Sequence, residues 1–267
     1  IRRFCTSDQS ENNFIYYVLG KKERHTLADY VTGVEETSTN KIVLYSSAQT
    51  GKTTELKQLC WELQQSGLYL PVSFEVRTNT KLKRDDLPES QYVDGREVVL
   101  VIDALDEVNG QKYEDLLEEI GGYAYEHPEM KMVLSYRSNF RRERQLELFT
   151  ELFLEELSID DARDYAAKRE VNSDRFMRSV FANQLEDFIK NPFFLSVLID
   201  AYKGKGKQLP KTKADIYKLF IKSSYDKEVK EKNVSLSAQH SFEESVRLLE
   251  RVALGLSLMN AQSLNKE

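Results

Sequence analysis

The residues best suited to chemistry are the run Ser46-Ser47-Ala48-Gln49-Thr50-Gly51-Lys52-Thr53. It fits the phosphate-binding pattern x-x-x-x-x-G-K-[ST], with Ser46 standing where the first glycine belongs. In such a loop, successive backbone N–H groups turn inward and meet phosphate oxygens without bulky side chains in the way. Ser47, Gln49, Thr50, Gly51, Lys52, Thr53 and Thr54 are therefore the expected phosphate contacts. The Lys52 ammonium is long enough to reach β- and γ-phosphates, and the Thr53 hydroxyl is suited to ligating Mg²⁺. Ser46 weakens the pattern without abolishing it, because the closest backbone approach falls at Gly51.

Further along, Val98-Val99-Leu100-Val101-Ile102-Asp103-Ala104-Leu105-Asp106-Glu107 is an apolar run ending in carboxylates. An acid at the carboxyl end of a parallel strand points to the crevice where ligands bind in such sheets, so Asp103 is expected to hold Mg²⁺ directly or through water. Glu107, or else Asp106, is placed to orient and polarise an attacking water. In Ser135-Tyr136-Arg137-Ser138-Asn139, Arg137 has two readings: a sensor of the γ-phosphate, or a surface charge paired with a neighbouring acid.

These groups work together only if the elements between them bring them to one edge. Lys41–Ser46 reads as a short β-rich run, and from Thr53 the periodicity changes to 3.6, with Leu56, Leu59, Cys60 and Leu63 on one stripe until Ser66-Gly67. Further strands are expected at Tyr69–Val76, Glu97–Asp103, Lys131–Tyr136 and Glu151–Glu155, and helices at about Tyr113–Tyr125 and Arg141–Leu148. Strands alternating with helices, several of them continuously apolar, predict an α/β unit with a five-stranded parallel sheet flanked by helices. Past Leu157 the strand signals stop. Capping boxes at Ser158–Asp161 and Ser241–Glu244, with apolar stripes between, predict an all-α helical domain after the sheet. The expected organisation is an N-terminal linker and helix over 1–40, a nucleotide-binding domain over 41–157, a helical domain over 158–233 and one more helix within 234–267.

The blocks Val43–Leu56 and Leu100–Glu107, followed by the Arg137 strand in that order, resemble the NACHT family within the STAND class of signalling P-loop NTPases. Two weaker segments agree with the resemblance. Tyr17-Val18-Leu19-Gly20-Lys21-Lys22-Glu23 is similar to the family's upstream adenine loop, with Lys21 in place of the usual arginine, which implies a base contact at Leu19. Asn191-Pro192-Phe193-Phe194-Leu195 is similar to the N-P-L-x-L segment, which implies that Pro192 packs near the adenine; a proline at the first helical position after an Asn191 cap reads equally well. The helix within Ser241–Met259 resembles the opening of the family's winged-helix domain. The resemblance implies a slow, regulated, Mg²⁺-dependent ATPase that holds ATP or ADP and forms homo-oligomers on activation. It also implies a role in innate immune or anti-phage signalling.

Composition narrows the alternatives. Lys and Arg total 38 against 44 acids, a net charge of −6, which leaves nucleic-acid binding unsupported. The 2 cysteines and 3 histidines form neither a disulfide framework nor a zinc pattern. The longest apolar runs fall far short of a membrane span, and a soluble cytoplasmic protein is expected. A first residue of Ile1 and a polar end point to a fragment whose effector and sensor parts lie outside it. Two other readings stand beside the switch: a motor-like AAA+ or helicase-type ATPase, and a scaffold with a vestigial site.

Overall fold

The computed structural model describes residues 5–6, 25–33, 39–47, 50–76, 82–105, 111–137, 146–204, 208–232 and 241–258. Its strands are β1 (Cys5–Thr6), β2 (Lys41–Ser46), β3 (Tyr69–Glu75), β4 (Tyr92–Val93), β5 (Arg96–Asp103), β6 (Lys131–Arg137) and β7 (Thr150–Leu154). The helices are α1 (Leu27–Thr32), α2 (Lys52–Ser66), α3 (Gln111–Glu126), α4 (Ile159–Lys168), α5 (Ser173–Ala182), α6 (Glu186–Ile189), α7 (Pro192–Gly204), α8 (Lys213–Lys232) and α9 (Phe242–Leu258).

The chain divides into two compact units, one comprising 1–165 with Ile189–Phe193 and the other 166–188 with 194–267. In the first, the strands form one sheet in the order β1-β7-β2-β6-β5-β3, with β4 beside β5. The five expected strands β3, β5, β6, β2 and β7 are mutually parallel. Two short antiparallel additions enlarge the sheet to seven strands: β1 on β7, and β4 on the start of β5. Two-residue strands carry no periodicity of their own, so the alternation of apolar residues does not reveal them. The helix expected at Arg141–Leu148 lies largely outside the described residues, and 146–149 form a turn closed by Phe149 N–H to the Leu146 carbonyl at 2.9 Å.

β2 and β6 are buried on both faces, which is why they read as unbroken apolar runs rather than alternating ones. One face of the sheet packs Ile42, Leu44, Val99, Val101 and Val133 against Leu56, Leu59 and Leu63 of α2 and against α1. The other packs Val43, Tyr45, Leu100, Ile102, Met132 and Leu134 against Leu116, Leu117, Ile120 and Tyr123 of α3. β3 tolerates Pro71 because, among the described residues, no strand pairs with its outer side.

The connectivity reverses at one place in the sheet. From β2 the chain runs through α2 to β3 at one end of the parallel set, whereas from β6 it goes to β7 on the other side of β2. Adjacent strands β2 and β6 thus send their connections in opposite directions, the condition that opens a ligand crevice at the carboxyl edge of a doubly wound sheet.

The second unit is helical. Phe176 of α5 meets Tyr202 of α7 edge-on at 5.4 Å, while Phe194 stacks on Phe220 at 4.3 Å, with Phe188 beside both. Arg169 is paired with Asp200 at 2.7 Å. Tyr225 of α8 contacts Phe242 of α9 at 5.5 Å, and the Lys222 ammonium lies 4.6 Å from the Phe242 ring centre.

Candidate functional site

The phosphate-loop geometry follows from where β2 stops and α2 starts. Gly51 precedes the helix with φ 93° and ψ 23°, a conformation that costs an L-residue with a side chain appreciable strain. No side chain caps this end of α2. The first helical hydrogen bond is Glu55 N–H to the Gly51 carbonyl at 2.9 Å, so the helix supplies no acceptor for the amides of Lys52, Thr53 and Thr54. Those amides and the positive end of the helix dipole form the kind of surface that receives an anion. Thr53 and Thr54 are exposed there.

Ser46, in contrast, does not adopt a positive φ. It is the last residue of β2, in register with Arg137, and 6% exposed. The first glycine of the pattern is therefore not required by the backbone at this position. Its hydroxyl lies 2.5 Å from the Thr50 hydroxyl, and Thr50 donates to the Ser47 carbonyl at 2.8 Å, so the side chains tie the loop internally. The Lys52 ammonium folds back to the Ser46 carbonyl and hydroxyl, each at 3.2 Å, and to the Ser47 carbonyl at 3.4 Å. These are long contacts for a charged donor.

The acidic strand ends on the same edge. β5 is separated from β2 only by β6, and β2, β5 and β6 all run in one direction. Strand neighbours lie ~4.8 Å apart, which places Asp103 roughly 10 Å across the sheet from the end of β2. Side chains alternate along each strand, and Asp103, Ser135, Arg137 and Ser46 continue the faces of Val99 and Val101, of Val133, and of Ile42 and Leu44. They stand on the face covered by α2. Lys52 and Asp103 thus belong to the same edge of the sheet.

Asp103 is 8% exposed, and its Oδ1 accepts the Ala104 N–H at 2.9 Å and the Ser135 hydroxyl. Ser135 is fully buried and also accepts the Ala104 N–H at 3.0 Å. Ala104 adopts φ 65°, a sharp turn held by these bonds immediately after the acid. The readable signal for Ser135 was its polarity at an interior position of a buried strand.

The expected residues now fall into groups. Ser47, Thr50, Gly51, Lys52, Thr53, Thr54, Asp103 and Arg137 are at the carboxyl edge of one sheet. Leu19, Gln49, Asp106 and Glu107 lie outside the described residues. Pro192 is the first residue of α7, and the Asn191 side chain accepts the Phe193 N–H at 2.9 Å, the capping arrangement anticipated as one of its two readings. The Lys190 carbonyl before it accepts the Leu157 N–H at 2.8 Å. Cys60 is half-buried against the α2 face of the core, where burial pushes its thiol above the ordinary value.

The donor set suits a hard divalent cation: an aliphatic hydroxyl on Thr53 and a carboxylate on Asp103. Among the described residues no group of three or more His, Cys, Asp or Glu side chains is close enough to hold a metal alone. Mg²⁺ characteristically binds with one or two carboxylates and completes its shell with phosphate and water, which this edge can accommodate.

No family model and no curated protein matches the chain. Solved structures similar to it include the RuvB Holliday junction branch migration motor of Thermotoga maritima, at 16% identity and a TM-score of 0.39, covering 72% of this chain and 63% of that one. Another is AMPPCP-bound DnaA from Aquifex aeolicus, at 16% identity and a TM-score of 0.39, covering 74% of this chain and 63% of that one. The chain thus spans 63% of the length of each. No helix among the described residues is long and apolar enough to cross a membrane. Strand order, parallel direction and the strand-loop-helix opening are consistent with a P-loop NTPase fold.

Proposed function

We propose that this chain binds a nucleoside triphosphate, ATP by preference, at the carboxyl edge of its sheet and hydrolyses it slowly as a signalling switch of the NACHT type. One observation carries the reading. A left-handed Gly51 opens α2 directly after the buried β2, with Lys52 at the mouth and Asp103 two strands away on the same face.

Phosphate oxygens meet the amides of the first turn of α2. The Lys52 ammonium, which lies on the Ser46 and Ser47 oxygens, settles on the β- and γ-phosphates, which are charged acceptors. Mg²⁺, when bound, neutralises charge that develops on the transferred phosphoryl group. Thr53 and Asp103 provide its protein ligands. Glu107, or else Asp106, orients and polarises the attacking water, and Arg137 at the end of β6 reads the γ-phosphate. Leu19 and Pro192 frame the base. Slow turnover suits a device whose signal lasts as long as the triphosphate state. The blocks Val43–Leu56 and Leu100–Glu107 support the signalling assignment, and with it activation by homo-oligomerisation and a place in innate immune or anti-phage defence.

Denaturing the purified chain and separating the released small molecules by chromatography tests the reading, with ADP or ATP expected at near one per chain. Glu107→Gln should keep triphosphate binding and slow hydrolysis. Rapid turnover stimulated by DNA would replace the switch with a motor, and a folded chain unable to bind nucleotide with Mg²⁺ would leave only a scaffold.

A further inference from the structure

The polar contacts around Asp103 are unevenly distributed. Oδ1 receives both the Ala104 N–H and the Ser135 hydroxyl, and the same amide also reaches the Ser135 oxygen. Oδ2 makes no hydrogen bond among the described residues. It is also not among the sealed, unpaired polar atoms, of which the Tyr136 hydroxyl is an example. One oxygen is thus fixed inside the sheet and the other is left accessible at the carboxyl edge. Ser135 is fully enclosed, one strand nearer β2 than Asp103, so its hydroxyl cannot swing away to water.

We propose that Ser135 is a positioning residue for divalent-metal binding: its buried hydroxyl, donating to Asp103 Oδ1, holds the carboxylate so that Oδ2 is presented as a one-oxygen ligand to Mg²⁺ carried by the nucleotide. The inference rests on the nucleotide-binding reading above. Without the hydroxyl, Oδ1 keeps only the Ala104 amide and the carboxylate can rotate, so the metal meets a ligand that must first be ordered. Partners that orient a metal ligand in this way typically change metal affinity by about 10–100-fold when removed.

The test is the affinity of a fluorescent ATP analogue for the whole chain, first in EDTA and then across a Mg²⁺ titration. For Ser135→Ala, affinity in EDTA should stay within about twofold of the unmutated chain, while the Mg²⁺ concentration giving half the metal-dependent gain rises about 10–100-fold. Ser135→Cys, close in volume and a weak donor, should fold normally and fall between the two. An unchanged Mg²⁺ midpoint in either folded variant would overturn the role of Ser135 while leaving nucleotide binding intact. An unmutated chain that binds the analogue equally in EDTA and Mg²⁺ would also overturn it. Failure to bind in both conditions would remove the nucleotide-binding reading and this inference with it.

Discussion

A lysine meets each end of β2, Lys41 from within the strand and Lys52 from the start of α2, and the two are held differently. At the amino end, the Lys41 ammonium is buried and donates to the carbonyls of His127 at 3.0 Å, Pro128 at 2.7 Å and Met130 at 3.5 Å. It closes the carboxyl terminus of α3 and fixes the turn into β6. Burial holds its pKa below the ordinary lysine value, only partly offset by nearby Glu129. At the carboxyl end, Lys52 is half-buried and lies on Ser46 and Ser47 at 3.2–3.4 Å, at a helix terminus whose first amides have no helical acceptor. Two lysines at opposite ends of one strand, one within it and one at the start of the helix that follows, thus sit in different surroundings. Lys41 is held inside the fold by backbone carbonyls, whereas Lys52 stands at the carboxyl edge, where a phosphate would be a stronger acceptor than the oxygens of Ser46 and Ser47.

The contrast can be broken by substitution. Lys41→Met should lower the stability of the first unit by about 2–3 kcal/mol, because carbonyls that received a charged donor lose it. Lys52→Ala, at a half-buried side chain, should cost less, about 1 kcal/mol. Urea unfolding followed through Trp61, the only tryptophan of the chain and a residue of α2, compares them directly. Equal losses would erase the distinction between the two ends.

A smaller effect is expected at the loop itself. Gly51→Ala forces a side chain into φ 93° and should cost about 1–2 kcal/mol, whereas Ser46→Gly, at a position without positive φ, should cost about 1 kcal/mol or less. The reverse ranking in the same unfolding assay would show that the serine, not Gly51, holds the conformation.

The smallest effect concerns pH. Burial raises the Cys60 thiol, so the unfolded chain releases this proton before the folded one does. The stabilisation is fully present below the unfolded thiol value of about 8.5 and is lost as pH climbs through the raised folded value. Cys60→Ala should flatten that part of the stability profile; an unchanged slope would show that the thiol is not responsible.

Much of this was legible in the order of residues because the chemistry and the core impose different patterns. β2 begins and ends at Lys41 and Ser46 as the apolar run predicts, and α2 stops at the glycine that reads as its terminator, Gly67 at φ 71°. Capping boxes at Ser158–Asp161 and Ser241–Glu244 are present as hydrogen-bonded pairs. β4 escaped because it is two residues long, although Asp94-Gly95 after it, with φ 50° and 76°, is a hairpin signal in plain view. Ser135 escaped for a different reason. Its importance lies in a contact with Asp103 across two strands far apart in sequence, and no local pattern records such a pairing.

The proposed function requires the carboxyl edge to grip a triphosphate through Gly51 and Lys52. Calorimetric titration of the nucleotide-stripped chain with a non-hydrolysable ATP analogue and Mg²⁺ tests it most directly. Saturable one-to-one binding is expected, weakening about 100-fold or more in Lys52→Ala and unchanged in folded Lys41→Met. Equal affinity in Lys52→Ala and the unmutated chain, or no binding by a folded unmutated chain, would contradict it.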